Sequence, residues 1–329
     1  MRGASITGYA EAARRVGLDP RAMLHRYGID RRVLTEPELR MPADAAIALI
    51  EGSAEASGCE TFGLLMTETR KLSDYGPISL LFAHQPTLHD MLDCMIRYQR
   101  MLNDALVLEM DEHRWDTTVV RQEILTDFGR TPRQCYELAV ATLYRTFRGP
   151  RGPRWRARSI HFTHGPPSDL AAHRRAFDAP VEFYSDFNGF TCAPAELKAL
   201  NPLADAAMAR HAEGFIQALP RAQEVAFAAE VERAIQVLLP FNGASIETVS
   251  ARLGLNRRTL QRRLAQEGAE FSALLNQMRR RHAIRYLANP RLPVAQVAGL
   301  VGYSHETSFA RWFSGEFGRS PSAWRAAPT

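Results

Sequence analysis

The chain has 329 residues, 46% of them apolar and 23% charged, which suits about two globular domains and excludes a disordered or fibrous chain. No apolar run approaches the roughly 20 residues of a membrane span, and the opening "MRGASITGYAEAARRVG" lacks the apolar stretch of a signal peptide, so a cytoplasmic protein without a membrane partner is expected. Cys59, Cys94, Cys135 and Cys192 stand far apart with no Cys-x-x-Cys pair, which argues for idle thiols in a reducing compartment rather than disulfides or structural zinc.

In chain order, "MPADAAIALIEGSAEASG" places Ala46, Ile47, Ile50 and Ala54 at helical spacing, with Pro42 suited to the first turn. "TLHDMLDCMIRYQRML" predicts a second helix, with Leu88, Met91, Leu92, Met95, Ile96 and Tyr98 forming an apolar face. "ALVLEM" and "WDTTVVRQEIL" are rich in β-branched residues, and the polar "DEHR" between them reads as the turn of a hairpin. "CYELAVATLYRTF" returns to helix, and "RSIHFTH" and "VEFYSDFNGFTC" read as short strands. "ADAAMARHAEGFIQALP" and "RAQEVAFAAEVERAIQVLLP" are helices stopped by Pro220 and Pro240. Beyond Pro240 everything reads helical, with turns at "NG", "LGLN", "ANPRLP" and "VGYS". The expected fold class is α+β and mostly helical. A mixed domain with a small sheet is expected over 1–220 and an all-α domain over 222–329.

Charge divides the same way. From Phe241 onward there are 13 Arg, no Lys and 5 acidic residues, a net of +8, against −3 for 1–240. A compact basic domain is the electrostatic footprint of a nucleic-acid binder; charge alone also permits a merely solubilising surface. The basic part contains a near-repeat: "VSARLGLN" (249–256) returns as "VAGLVGYS" (297–304), with Val249, Leu253, Gly254 and Leu255 answered 48 positions later by Val297, Val301, Gly302 and Tyr303. Each copy is a short helix, a sharp Gly turn and a capping Asn or Ser, and a second helix follows each. Helix, tight turn, helix is the helix-turn-helix unit, and two in register specify it far better than one.

The second helices are the candidate site. After the expected cap Asn256, Leu260 and Leu264 face inward and leave Arg257, Arg258, Gln261 and Arg262 outward. Arg matches guanine and Gln adenine at base edges in a major groove; a solvated charged face is the blander alternative. After Ser304, the expected cap of the other helix, Phe309 and Phe313 face inward. His305, Glu306, Thr307, Ser308 and Arg311 remain on or near the outer face. His305-Glu306 could open a zinc-protease signature, but that needs a second His where Phe309 stands. His161, His164 and His173 are the other metal candidates. His-x-x-His on a strand points to opposite faces, so structural histidines are the better reading. No catalytic motif and no cofactor site is evident.

"IETVSARLGLNRRTLQRRLAQEG" and "LPVAQVAGLVGYSHETSFARWFSGEFGRSPSAWR" together resemble the DNA-binding domain of AraC/XylS-type bacterial transcription regulators. The second stretch carries the signature through Gly302-Tyr303, Ser308-Phe309, Arg311, Phe313, Phe317-Gly318, Ser320-Pro321 and Trp324-Arg325, the closing Trp replacing the usual Tyr or Phe. "AARRVGLDPRAML", "SDYGPISLLFAHQPTLHDMLDCMIRYQRMLNDAL" and "IHFTHGPPSDLAAHRRAFDAPVEFYSDFNGF" resemble the effector-binding and dimerisation domain of one subgroup, named arabinose-binding by analogy only.

The resemblance implies two reading helices, joined by the long helix "FSALLNQMRRRHAIRYL", in major-groove segments about 34 Å apart. It assigns base reading to Arg258, Gln261 and Arg262 and to Glu306, Thr307, Ser308 and Arg311. It further implies double-stranded promoter DNA and RNA polymerase as partners, activation as the expected output, a small-molecule effector bound by the first domain, and a possible homodimer. A ligand-independent regulator working through dimerisation or a protein partner is the alternative; a polar-lined pocket would count against it. An enzyme with a reactive cysteine fused to a DNA-binding tail is a more remote one. Arg97, Tyr98 and Arg100, the most polar patch on their helix, could grip an anionic effector or simply form a solvated edge.

Overall fold

The computed structural model describes residues 1–114, 116–126, 131–151, 155–218, 226–239 and 243–326. The chain divides into two compact units, Met1–Pro220 and Arg221–Thr329. Pro220 and Pro240, expected as helix stops, Asn242, expected in a turn, and Trp115, expected at the start of the second hairpin strand, lie outside the described residues.

The first unit opens with four helices, α1 (Tyr9–Arg15), α2 (Pro20–Arg26), α3 (Ala43–Ser57) and α4 (Phe62–Thr67). Next come α5 (Ile78–Ala83) and α6 (Leu88–Leu102). Thr87 and Asp90 cap α6 reciprocally: each side chain accepts the other's backbone N–H at 3.1 Å, which satisfies two otherwise orphan donors. The hairpin is β1 (Leu106–Arg114) and β2 (Thr117–Ile124). The polar "DEHR" therefore belongs to β1 and is not the turn. β1 is the sheet edge, and its register with β2 slips between Asp111 and Arg114, so polar residues cost little there.

After the hairpin stand α7 (Arg133–Arg151), β3 (Ser159–His161), α8 (Ala171–Phe177), β4 (Val181–Glu182), β5 (Asn188–Cys192), α9 (Pro194–Leu197) and α10 (Ala206–Ala218). The sheet runs β1-β2-β5-β3-β4, antiparallel except for β3 with β4. Val120 pairs with Phe190 and Phe190 with Ile160 across its centre. "VEFYSDFNGFTC" is thus two short strands rather than one.

α7 joins two cores. Val140, Tyr144 and Phe147 pack with Trp155, Ile160 and Phe190 under the sheet. Cys135 and Leu138 pack with Ile47, Ile50 and Phe62 of the helical layer. Each such side chain contributes about 1.5–3 kcal/mol by leaving water. α7 also carries the fully buried Glu137, which faces His173 Nε2 at 3.1 Å, Arg133 Nε at 3.3 Å and His164 Nε2 at 3.6 Å. His161 lies apart from these, bonded to Ser159 and Ser185. Among the described residues no three His, Cys, Asp or Glu side chains are arranged to hold a metal. None of the helices searched is long and apolar enough to cross a membrane.

The second unit is all-helical: α11 (Phe227–Leu238), α12 (Ile246–Arg252), α13 (Arg257–Gln266), α14 (Phe271–Leu287), α15 (Val294–Leu300), α16 (Glu306–Phe317) and α17 (Pro321–Ala326). The two turns are copies at the level of single hydrogen bonds. Gly254 N donates to Ala251 O and Leu255 N to Ser250 O, at 3.0 and 2.9 Å; Gly302 N donates to Gly299 O and Tyr303 N to Ala298 O at the same distances. Every atom pair recurs 48 positions on. Both glycines are left-handed, with φ of +66° and +78°, a conformation that suits a residue without Cβ.

One expectation needs correction. Asn256 does cap α13, accepting from Thr259 N at 2.8 Å, but the residue at the N-cap of α16 is His305 rather than Ser304, and it makes no side-chain cap bond. The second helix-turn-helix copy carries one extra residue between turn and helix. Turns align at a spacing of 48, whereas α13 and α16 align at 49, Leu260 with Phe309 and Leu264 with Phe313.

Two outcomes are expected. Nothing lies within 4 Å of a Cβ added at Gly254, whereas at Gly302 it would meet Leu239 Cδ1 at 3.1 Å. Gly254→Ala should therefore cost only the left-handed strain, about 1–2 kcal/mol, and Gly302→Ala more; equal losses in chemical denaturation would contradict the packing difference. Separately, burial pulls the His164 imidazole down to about 4 against the opposing pull of Glu137. Between its ordinary value of 6.5 and that value, the unfolded chain binds more protons than the folded one. Stability conferred by neutral His164 is thus complete above pH 6.5 and lost towards pH 4, by up to about 3 kcal/mol. Urea midpoints of the first unit's transition should fall across that window, and His164→Phe should flatten the slope; an unchanged slope in the variant would contradict this.

Candidate nucleic-acid interface

α13 and α16 are each held by two side chains one helical turn apart. Leu260 and Leu264 are 0% and 1% exposed, and Phe309 and Phe313 are both 0% exposed. That spacing turns the opposite faces outward. Arg257, Arg258, Gln261 and Arg262 are exposed on α13, and His305, Glu306, Thr307, Ser308 and Arg311 are exposed at or on α16. The structure brings each set onto the helix that the sequence indicated.

Of these nine, Arg257 is engaged: Nη1 donates to Glu247 Oε1 on α12 at 3.0 Å. Both groups are 61% exposed, so the pair is worth no more than about 1 kcal/mol. The other eight make no side-chain hydrogen bond or ion pair among the described residues.

Nearby carboxylates are turned to internal tasks. Glu267, just past α13, accepts from Ala228 N at 2.8 Å and Phe227 N at 2.7 Å and so caps α11. Glu316 accepts from Asn276 Nδ2 at 2.9 Å and Arg280 Nη1 at 2.5 Å. These donors, first Ala228 N and Asn276 respectively, hold both carboxyls below their usual range. The outer faces are left with Arg258, Arg262 and Arg311 against Glu306, which sits in the first turn of α16 where the helix dipole favours an anion.

Several positioning contacts were not legible beforehand. Trp312 Nε1 donates to Asn276 Oδ1 on α14 at 2.7 Å. Arg279 reaches from α14 to the carbonyls of Val301 and Gly302 at 3.3 and 3.4 Å and lies over the Tyr303 ring. The connecting helix, 17 residues and so about 25 Å long, is thereby pinned to the second turn and the second outer helix. Arg263 stacks over Phe227 with 3.8 Å to the ring centroid, tying α13 to α11. Trp324 packs edge-on to Phe313 and Phe317, so the closing aromatic belongs to the core.

The remaining candidates fall elsewhere. His305-Glu306 has no second metal ligand, since Phe309 is interior. Burial pushes the Cys94 and Cys192 thiols up to about 12 and the Cys135 thiol well above its ordinary value; such thiols are not nucleophiles near neutral pH. On α6, Tyr98 Oη donates to Glu213 Oε1 at 3.0 Å, Arg97 lies 3.8 Å from the same oxygen, and Arg100 is exposed.

Residues 17–200 match the family described as the arabinose-binding domain of AraC transcription regulators, N-terminal, and 249–327 match a helix-turn-helix domain. The chain is 30% identical over 334 residues to the HTH-type transcriptional regulator VirS of Mycobacterium tuberculosis, covering 99% of this chain and 96% of that one. It is 24% identical over 321 residues to the ornithine utilization regulator of Pseudomonas aeruginosa, covering 93% and 94%. The crystal structure of the transcriptional regulator CdpR from Pseudomonas aeruginosa is 23% identical, covers 93% of this chain and 96% of that one, and has a TM-score of 0.45. This chain belongs to the AraC family of helix-turn-helix, DNA-binding transcription regulators.

Proposed function

We propose that α13 and α16 are two matched reading heads entering successive major-groove segments of promoter DNA. The observation that carries this is the pair of exposed polar faces, unpartnered among the described residues except at Arg257 and each backed by two buried residues in equivalent places. Arg262 and Arg311 correspond under the 49-residue spacing and are suited to guanine O6 and N7. Gln261 suits adenine, Glu306 suits the cytosine amino group, and Thr307 suits a thymine methyl. Arg258, Ser308 and His305 complete the faces, and Arg257 reaches phosphate when its exposed pair with Glu247 opens.

The first unit is proposed to bind a small-molecule effector and the second to read DNA, with activation through RNA polymerase as the output. A cytoplasmic site of action follows from that role. The ligand-controlled reading is supported by a cavity in the first unit that carries polar groups. Dimerisation is supported by a separate observation. Leu80 on α5, Leu203 just before α10, and Met208 and Phe215 on α10 are 41–59% exposed, and α5 and α10 pack together.

Arg262→Ala and Arg311→Ala are each expected to weaken binding to cognate DNA by about 1–3 kcal/mol and to relax selectivity locally. Gel-shift titration tests this, and equal loss on random DNA would reduce both to phosphate contacts. Phe215→Asp is expected to shift the protein towards monomer in light scattering; an unchanged mass would remove this face from the dimer.

A further inference from the structure

The first unit contains a cavity of about 130 Å³, close to the roughly 150 Å³ of an engineered protein cavity that takes up benzene. Ile47, Ile50, Met95, Leu106, Leu108 and Leu138 give it apolar walls. On α6 its lining is Met95, Gln99 and Leu102, so Arg97, Tyr98 and Arg100 do not reach it. The walls alone would admit any small apolar molecule. Two polar groups narrow the choice.

Gln122 on β2 lines the cavity and is 2% exposed, yet its Oε1 has no hydrogen-bond partner. A buried amide oxygen in that condition is costly until a donor meets it. By contrast Gln99 Oε1, on the same lining, is satisfied by Leu108 N at 2.8 Å.

Arg70 supplies the second group. Its guanidinium donates to the backbone oxygens of Thr7, Ala4 and Ser5 at 3.1, 2.9 and 2.5 Å and to Thr142 Oγ1 at 3.4 Å. These four neutral acceptors leave one N–H of Nη1 over and provide no counter-charge. The charged side chains of the lining are Arg2, Arg70, Lys71 and Asp74. Arg2 is paired with Glu38, so the lining retains one positive charge more than Asp74 can balance.

We infer that this cavity binds a small carboxylate with an apolar body, its carboxylate drawn to the Arg70 end and a hydroxyl or amine donating to Gln122 Oε1. The inference rests on the reading of the first unit as a ligand-controlled domain and specifies the chemistry of that ligand. The anion supplies the missing counter-charge, the donor satisfies the orphan oxygen, and a single ring or branched chain fills the walls.

The test is calorimetric titration of the full-length protein with benzoate, ortho-, meta- and para-hydroxybenzoate, and benzamide. At least one hydroxybenzoate should bind, benzoate about 10-fold more weakly for want of one hydrogen bond, and benzamide at least about 10-fold more weakly than benzoate for want of charge. Gln122→Leu should erase the advantage of the hydroxyl and leave benzoate unchanged. Ala139→Met, which adds bulk to the wall, should abolish binding of all three classes while the protein still unfolds cooperatively. Three results would overturn the proposal: no carboxylate binds at millimolar concentration, benzamide binds as tightly as benzoate, or binding survives Ala139→Met. Gel shifts with and without the bound acid separate the two levels. Binding with unchanged DNA affinity supports the site and contradicts ligand control, whereas DNA affinity that responds to a neutral metabolite while no carboxylate binds contradicts the site and leaves ligand control standing.

Discussion

Everything the second unit presents to a partner depends on two apolar side chains per outer helix, set one turn apart. Leu260 and Leu264 fasten α13; Phe309 and Phe313 fasten α16. With the inner face fixed by burial, the outer face needs no partner from its own chain, and the exposed Arg, Gln, Thr and Ser groups stay available. The left-handed glycines set the angle at which each helix leaves its turn. Contacts from α14 then hold the second turn through Arg279 and the second helix through Asn276. The base readout proposed for these faces needs hydrogen-bonding groups in defined places, and these contacts fix the helices that carry them.

Electrostatics follow the same division. Two acidic residues at the C-terminal ends of the outer helices, Glu267 and Glu316, serve as a helix cap and as an anchor to α14. Their charge is thereby confined to internal contacts and the outer faces keep a cationic excess, as attraction to phosphate requires. In the first unit, polar groups sit deep in the fold instead: Glu137 with its histidines, and Arg70 and Gln122 at the cavity. Buried polar groups that lack complete partners are unfavourable until a hydrogen-bonding partner, water or ligand, completes them.

Much of the second unit was legible because its signals are local. A Gly turn flanked by apolar residues, repeated at 48 positions, needs no tertiary information, and Leu260 and Leu264 are on one face by helical period alone. The same regularity misled at Ser304, since the turn spacing was carried into the helix, where one additional residue makes it 49. In the first unit, α1, α2, α4, α5, α8 and α9 span four to seven residues, too few to display a period. The stretch holding β2 reads as a strand, but nothing local signals that Arg121, Gln122 and Glu123 are all buried, which follows from β2 lying inside the sheet. The cavity joins α3, α6, α7 and the hairpin, and no sequence window spans them.

Selection of binding sites from random duplex DNA by the full-length protein tests the central claim most directly. Two matched reading heads on one unit predict two conserved sequence blocks with centres about one helical turn, roughly 10 base pairs, apart. Arg262→Ala should degrade one block and Arg311→Ala the other. A single contiguous block, or the same block lost in both variants, would contradict the account.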